Sequence, residues 1–344
     1  MKIVRLGKTD LQVTRVGFGG IPIQRLSESE AIRVVQHCLE LGVRFFDTAN
    51  GYSTSEERIG KALAASSLCR EQVIVATKTA ARDRSTALEH LDLSLKRLNV
   101  AYIDLWQLHN VSSIEAYEQV LTAGGALEAA REALAAGTVR HIGITSHSME
   151  VALKAVPTGL FETIQFPLNF VTDEPAGKLV PLARVHDVGF IAMKPLGGGM
   201  LSHANLAIKY LLQFDNVVPD PGIERVEEIE EIAAIVAGSW DLTDEERREI
   251  EFIREEVGVR FCRRCGYCEP CAQGVRVSLV MNVPSILRRL PSERFTSRSL
   301  SEAIRSSQDC IECGECEEKC PYQLPIREML VEHLELYERT VLVG

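Results

Sequence analysis

Phe45–Leu63 reads FFDTANGYSTSEERIGKAL. Phe45–Asp47 is a short apolar run ending on a carboxylate, Tyr52 follows in a loop, and Ser55–Ala65 has the composition of a helix. A buried strand, a polar loop and a helix make one β/α unit. The unit recurs in both directions. Strands are predicted at Val16–Phe18, Phe45–Asp47, Val73–Thr77, Ile103–Leu108, Ile142–Thr145, Thr163–Phe166, Phe190–Lys194 and Val217–Pro219. Helices are predicted at Glu28–Leu41, Ser55–Ala65, Ser85–Leu98, Ala126–Ala136, Met149–Val156, Gly177–Asp187, Leu201–Phe214 and Val226–Val236. Gly42 and Gly137 stand where helices should stop. Strands that read apolar on both faces indicate a parallel sheet. Eight such units favour a closed (β/α)₈ TIM barrel over an open doubly wound sheet, which stays the alternative. Ahead of them, Ile3–Leu6 and Leu11–Thr14 read as a hairpin over the turn Gly7–Asp10.

The 344 residues suit a barrel of about 250 residues with an appendage. The periodicity changes near Leu242, where Thr243 and Glu246 form a capping-box pattern opening a helix to about Val257. The boundary falls between Gly238 and Gly258, giving a barrel over 1–240 and a C-terminal domain over 241–344. Hydrophobic residues at 46% support a large core and argue against disorder. With a net charge of −10 and no Lys/Arg block, nucleic acid is not an expected partner. The acidity leaves room for a basic redox partner, although solubility alone explains it. The opening MKIVRLGKTDLQVTRVGFGG lacks the apolar core of a signal peptide, and no run approaches the ~18–20 apolar residues of a membrane span. A cytoplasmic location without membrane attachment is therefore expected.

Asp47, Lys78 and His109 fall at or just after the ends of the second, third and fourth predicted strands, with Tyr52 in the loop after the second. In a (β/α)₈ barrel the C-terminal strand ends carry the active site, so the four would meet at one mouth. Together they suit hydride transfer to a carbonyl, which builds negative charge on oxygen and needs a proton donor. A free tyrosine, with a pKa of about 10, is a sluggish acid near neutrality. The Lys78 ammonium would lower that value, Asp47 would orient Lys78, and His109 would hydrogen-bond the substrate oxygen. Taken singly, each of these residues has an ordinary structural explanation; their order and placement carry the reading.

GFGG, FFDTANGYSTSEERIGKAL, ATK, DLWQLHNV and GTVRHIGITSHS, spread between about Leu6 and Val236, resemble the aldo-keto reductase superfamily. The resemblance places the catalytic tetrad on Asp47, Tyr52, Lys78 and His109, with Tyr52 as general acid. It implies a small-molecule carbonyl substrate and a nicotinamide cofactor lying across the barrel mouth without a Rossmann motif. Cofactor contacts map onto Ser146, Gln165 and Asn169, onto Lys194 and Gly197, Gly198 and Gly199 in MKPLGGGML, and onto Gly222 in VVPDPGIERVEEIEE. Departing from members that select the 2′-phosphorylated cofactor, the last stretch carries Glu224, Glu227, Glu228, Glu230 and Glu231 with only Arg225 basic. Carboxylates repel a 2′-phosphate, so of NAD(H) and NADP(H) the former is expected to be weakly preferred.

Eight of the ten cysteines form two groups: Cys262, Cys265, Cys268 and Cys271, then Cys310, Cys313, Cys316 and Cys320 followed by Pro321. In a reducing compartment such groups read as metal ligands before disulfides. The second is the bacterial ferredoxin run C-x₂-C-x₂-C-x₃-C-P. The first is less regular, and zinc or an empty site is its alternative. Two [4Fe–4S] clusters are expected. By resemblance to two-cluster ferredoxins the fourth cysteine of each run crosses over. Cys262, Cys265, Cys268 and Cys320 would then hold one cluster, and Cys310, Cys313, Cys316 and Cys271 the other. Helices are predicted at Val277–Leu290, Leu300–Ser307 and Ile326–Leu342. The whole chain resembles a prokaryotic branch of aldo-keto reductases with a C-terminal ferredoxin-like, α-helical iron–sulfur domain.

Nicotinamide delivers two electrons as a hydride, whereas a cluster takes one at a time. Three readings follow: a carbonyl reductase whose clusters are structural or redox-active, a cluster-coupled electron-transfer protein using a flavin or a partner, and a redox-sensing binding module. The four residues at the barrel mouth argue against the third.

Overall fold

The computed structural model describes residues 1–343. Ten strands are present: β1 (Ile3–Arg5), β2 (Gln12–Thr14), β3 (Phe18–Gly19), β4 (Phe45–Asp47), β5 (Ile74–Thr79), β6 (Ile103–Leu108), β7 (Val139–Thr145), β8 (Thr163–Pro167), β9 (Gly189–Met193) and β10 (Val217–Asp220). β1 and β2 form the expected antiparallel hairpin, with Val4 opposite Val13. β3 to β10 pair in parallel in sequence order. The ring closes where Gly17 and Gly19 donate to the Pro219 and Pro221 carbonyls, at 2.9 and 2.8 Å. The fold is therefore a (β/α)₈ barrel.

Local chemistry sets the helices between the strands. Ser27 and Glu30 cap Glu28–Glu40 reciprocally, and Asp83 caps Arg84–Leu98, which ends on Asn99 in the left-handed region. Gly137, at φ 76°, ends Ala126–Ala136. The stretch after His109, where no helix is predicted before Ala126, contains the helix Ile114–Leu121 capped by Ser113. Its apolar residues at Ile114, Tyr117, Val120 and Leu121 keep helical spacing.

Two layers fill the barrel. Leu6 and Val13 of the hairpin pack with Phe45, Ile74, Ala76, Leu105, Ile191 and Val218 as an apolar plug. Side chains two residues apart on a strand share a face. One step beyond Phe45, Ala76, Leu105 and Val218, the strands therefore present Asp47, Lys78, Gln107 and Asp220 to the interior. All four are buried.

The residues divide into two compact units, Met1–Leu196 with His203–Asp241, and Gly197–Ser202 with Leu242–Gly344. The segment Gly197–Ser202 thus packs with the second unit although it follows the seventh barrel strand. That unit is helical, with Asp244–Gly258 opened by the Thr243–Glu246 capping box and Ile326–Val343 as its longest helix. The single helix expected over Val277–Leu290 is two, Val277–Val280 and Val283–Arg289; Pro284 lacks the N–H a continuous helix needs and begins the second. Among the described residues, no helix is long and apolar enough to cross a membrane.

Candidate active site

β4 and β5 carry Asp47 and Lys78 into the interior, where the Lys78 ammonium donates to Asp47 Oδ2 and to the Thr48 carbonyl at 2.7 Å. Gln107 Nε2 donates to Asp47 Oδ1 at 3.1 Å, and Gln165 Nε2 donates to Asp47 Oδ2 at 3.1 Å. Burial pushes the Lys78 pKa down, but the charges of Asp47, Tyr52 and Asp220 outweigh it and the net shift is upward. Lys78 is a cation at neutral pH, held by partners and not by solvent.

Tyr52 and His109 are half-buried at the mouth. Their rings meet edge to face, with centroids 5.7 Å apart, and Lys78 Nζ lies 5.3 Å from the Tyr52 centroid. Burial first, then Lys78 and Arg82, push the His109 pKa down to about 3, so its imidazole is neutral at pH 7. Arg82 donates to the His109 and Asn110 carbonyls at 3.0 and 2.9 Å and fixes the chain there. The fold thus brings Asp47, Tyr52, Lys78 and His109 together.

The nicotinamide candidates divide. Ser146 is fully buried at the end of β7, and Gln165 retains a buried carbonyl oxygen, Oε1, with no partner. An orphaned acceptor fits a primary amide donor, whereas the Ser146 hydroxyl donates to the Ser148 carbonyl at 3.2 Å and accepts from the Ser148 amide at 3.0 Å. Asn169 is committed to its own chain: Nδ2 donates to the Lys194 carbonyl at 3.0 Å, and Oδ1 accepts from the Val171 and Thr172 amides. Lys194 takes a left-handed turn, φ 59°. A Cβ on Gly222 would lie 2.7 Å from the Pro22 ring, which is reason enough for glycine there. Gly197 and Gly198 lie in the second unit, where added Cβ atoms would meet the Phe261 ring at 2.9 Å and Ser285 Oγ at 2.7 Å. Arg288 donates to the Gly199 carbonyl.

At the helix Val226–Ala237, the Glu228 carboxylate accepts from the Glu224 and Arg225 amides at 2.9 and 3.2 Å. A carboxylate of the chain itself fills this helix N-terminus, an ordinary anion site.

Sequence reasoning missed Gln107 and Asp220. Asp220 ends β10; its Oδ2 accepts from Gln165 Nε2 at 3.1 Å, while its buried Oδ1 has no partner. The missing signal was parity: Val218 faces inward, so Asp220 does too.

In the second unit, Val277, Val280, Leu324 and Ile326 form part of a small core against which Cys262, Cys268, Cys271, Cys310, Cys316 and Cys320 pack. Cys268, Cys271, Cys310, Cys313 and Cys316 line one cavity. Burial raises the Cys265 pKa, and Cys320 adds to the shift; burial and then Cys262 push Cys268 up to about 12. No disulfide links any of the ten cysteines, and among the described residues no three His, Cys, Asp or Glu side chains cluster closely enough to hold one metal ion. Eight soft thiol donors at this spacing fit an iron–sulfur group, which is larger than a single ion.

Residues 15–234 match the aldo/keto reductase family, and residues 261–325 match a 4Fe-4S dicluster domain. L-galactose dehydrogenase of Arabidopsis thaliana is 31% identical over 217 residues, 57% of this chain and 66% of that protein. A probable aldo-keto reductase of Glycine max is 30% identical over 57% of this chain and 60% of its own length. The chain thus spans slightly under two thirds of these two curated relatives. An aldo-keto reductase from Bacillus halodurans, solved in a holo form, superposes with a TM-score of 0.63 at 25% identity, covering 74% of this chain and 96% of the other. A Klebsiella pneumoniae aldo-keto reductase solved with NADPH gives 0.63 at 19% identity over 74% and 95%, a likeness of fold. The chain belongs to the aldo/keto reductase family and carries a C-terminal 4Fe-4S dicluster domain.

Proposed function

We propose that this protein reduces the carbonyl of a small aldehyde or ketone with a nicotinamide cofactor, Tyr52 acting as general acid. The observation that carries this reading is the Tyr52 ring edge-on to His109, with the Asp47-held Lys78 ammonium 5.3 Å from its centroid. A bound reduced nicotinamide supplies the hydride. Tyr52 then gives its phenolic proton to the developing alkoxide, and the Lys78 charge stabilises the phenolate left behind. Neutral His109 donates its one N–H to the substrate oxygen and fixes its angle. Gln165 would hold the cofactor amide through its unpartnered Oε1, and Ser146 would assist by exchanging its hydroxyl bond to the Ser148 carbonyl for one to that amide. Glu228, already capping the helix that would meet a 2′-phosphate, supports a preference for NADH over NADPH.

For the second unit we propose two [4Fe–4S] clusters with crossed ligation. Cys262, Cys265, Cys268 and Cys320 hold one; Cys271, Cys310, Cys313 and Cys316 hold the other. The proximity of Cys265 to Cys320, of Cys268 to Cys262 and Cys265, and of Cys316 to Cys310, felt as mutual repulsion of their thiolates, supports this division. Cys313 is exposed, which suits one-electron exchange with a redox partner.

The test is anaerobic purification, iron and sulfide analysis, and an assay of NADH and NADPH oxidation against a panel of aldehydes and ketones. Turnover of at least one carbonyl is expected. Cofactor binding with no turnover across the panel would overturn the reductase reading. Loss of the visible cluster absorbance on adding NADH alone would favour cluster-coupled electron transfer instead.

A further inference from the structure

β10 ends on a carboxyl that enters a core already holding Asp47 and Lys78. Asp47 and Asp220 share one donor: Gln165 Nε2 lies 3.1 Å from Oδ2 of each. An amide nitrogen carries two hydrogens, so it can serve both oxygens. Asp220 is also within hydrogen-bonding reach of Asp47. It faces Asp47 from β4, Lys78 from β5 and Gln165 from β8. Its flanking strands β9, GFIAM, and β3, FG, contribute no titratable side chain. On the β3 side Gly17 offers only backbone; a Cβ there would lie 3.4 Å from Asp220 Oδ1.

Two carboxyls therefore meet in a closed space with one ammonium. Were both ionised, the cluster would carry a net negative charge, and Asp220 Oδ1 would be a buried anionic oxygen with no donor. One proton turns the repulsive contact into an O–H···O⁻ hydrogen bond, the usual settlement between adjacent carboxyls.

We propose that Asp220 is a positioning residue of the tyrosine site: it carries a proton near neutral pH, donates it to Asp47, and leaves Lys78 opposed by one carboxylate instead of two. Burial first, then the charge of Asp47, push the Asp220 pKa well above the carboxylate range, against the smaller pull of Lys78 and Gln165. Asp47 then holds donors from Lys78, Gln107, Gln165 and Asp220, which fixes the Lys78 ammonium beneath Tyr52. When Asp220 ionises at alkaline pH, its charge offsets the Lys78 field, and Tyr52 becomes a weaker acid. Asp220 touches no reacting atom; it acts through Asp47 and Lys78. The tyrosine role rests on the proposed function, whereas the protonation does not.

Two spectroscopic measurements on the full-length, anaerobically purified protein test this without substrate or cofactor. Infrared difference spectra at pH 7 should show a protonated-carboxyl C=O band in the wild type that Asp220→Asn removes. Absence of such a band overturns the proposal, as does a band that survives the substitution. If the Asn variant does not fold, Asp220→Ser, with a smaller hydroxyl donor, gives the same subtraction. Ultraviolet titration, with Tyr52→Phe subtracted to isolate Tyr52, should show its phenol ionising about one unit lower in Asp220→Asn. An unshifted or raised value overturns the coupling. Carbonyl turnover enters neither measurement, so failure of the reductase reading leaves the infrared result standing.

Discussion

The barrel interior and the cysteine unit bury reactive groups in opposite ways. In the barrel interior Asp47, Lys78 and Asp220 sit on strands whose neighbours are fixed by the sheet. Asp47 finds donors from β5, β6 and β8, so the site is complete before any ligand arrives. In the second unit the sulfurs surround a small apolar core, and helices such as Val277–Val280 and Glu315–Glu318 span four residues each. Such helices are too short to hold their own shape. The first site is organised by the fold; around the cysteines of the second unit, order is expected to depend on the group they bind.

The most forceful way to break that contrast is to remove the iron. Anaerobic chelation should strip hydrogen-exchange protection from about residues 261–325 while leaving the barrel strands protected, read by exchange mass spectrometry. Protection that persists in the cysteine region would show that its apolar core suffices, and the contrast would collapse.

Next in size is the phenol itself. Tyr52→Phe should lower carbonyl reduction by about 10²–10⁴-fold, the usual contribution of a positioned general acid, with cluster absorbance unchanged. Full activity in that variant would remove Tyr52 from the chemistry. Lys78→Met should reduce stability as well as rate. Its loss leaves Asp47 buried without a counter-charge, a change of about 3–5 kcal/mol read in a denaturant melt. A melt unchanged from wild type would mean that the Asp47 charge is not carried by Lys78.

The same contrast explains what could be read from sequence. The barrel was legible because strand parity and helix caps are local: Ser27 and Asp83 announce their helices within three residues. Asp47, Tyr52, Lys78 and His109 were legible because strand ends in a barrel converge. Asp220 was not, since Pro219 marked the expected end of its strand and one further residue reverses which face is presented. Gly197 and Gly198 neighbour Phe261 and Ser285, some 60 and 90 residues on, a relation local chemistry does not encode. In the cysteine unit the sulfur ligands were plain from spacing, while the break at Pro284 was overlooked inside an apolar run.

A smaller effect is expected at the helix Val226–Ala237. Glu228→Gln removes a charge where a 2′-phosphate would approach, but keeps an acceptor for the Glu224 and Arg225 amides. The NADH-to-NADPH ratio of kcat/KM should fall by about threefold to tenfold, more at low ionic strength. An unchanged ratio would place cofactor choice elsewhere.

The smallest effect is a titration that should not occur. His109 is held neutral by burial, by Lys78 and by Arg82, with its pKa depressed to about 3. Its imidazole NMR signals should therefore stay flat between about pH 5 and 8, where an ordinary histidine changes charge. The linkage has a definite sign. Because the folded value lies below the unfolded value of about 6.5, the neutral imidazole favours the fold above pH 6.5, and that contribution is lost as pH falls towards 3. Asp220 runs the other way: its raised pKa favours the fold at low pH, and the contribution is lost as pH rises through its folded value. Acid should thus weaken the His109 side of the site and alkali the Asp220 side, leaving the cluster best balanced near neutrality. If His109 titrates near 6.5, the mouth is wetter than its burial implies, and an imidazolium beside Lys78 would compete with Tyr52 as the acid.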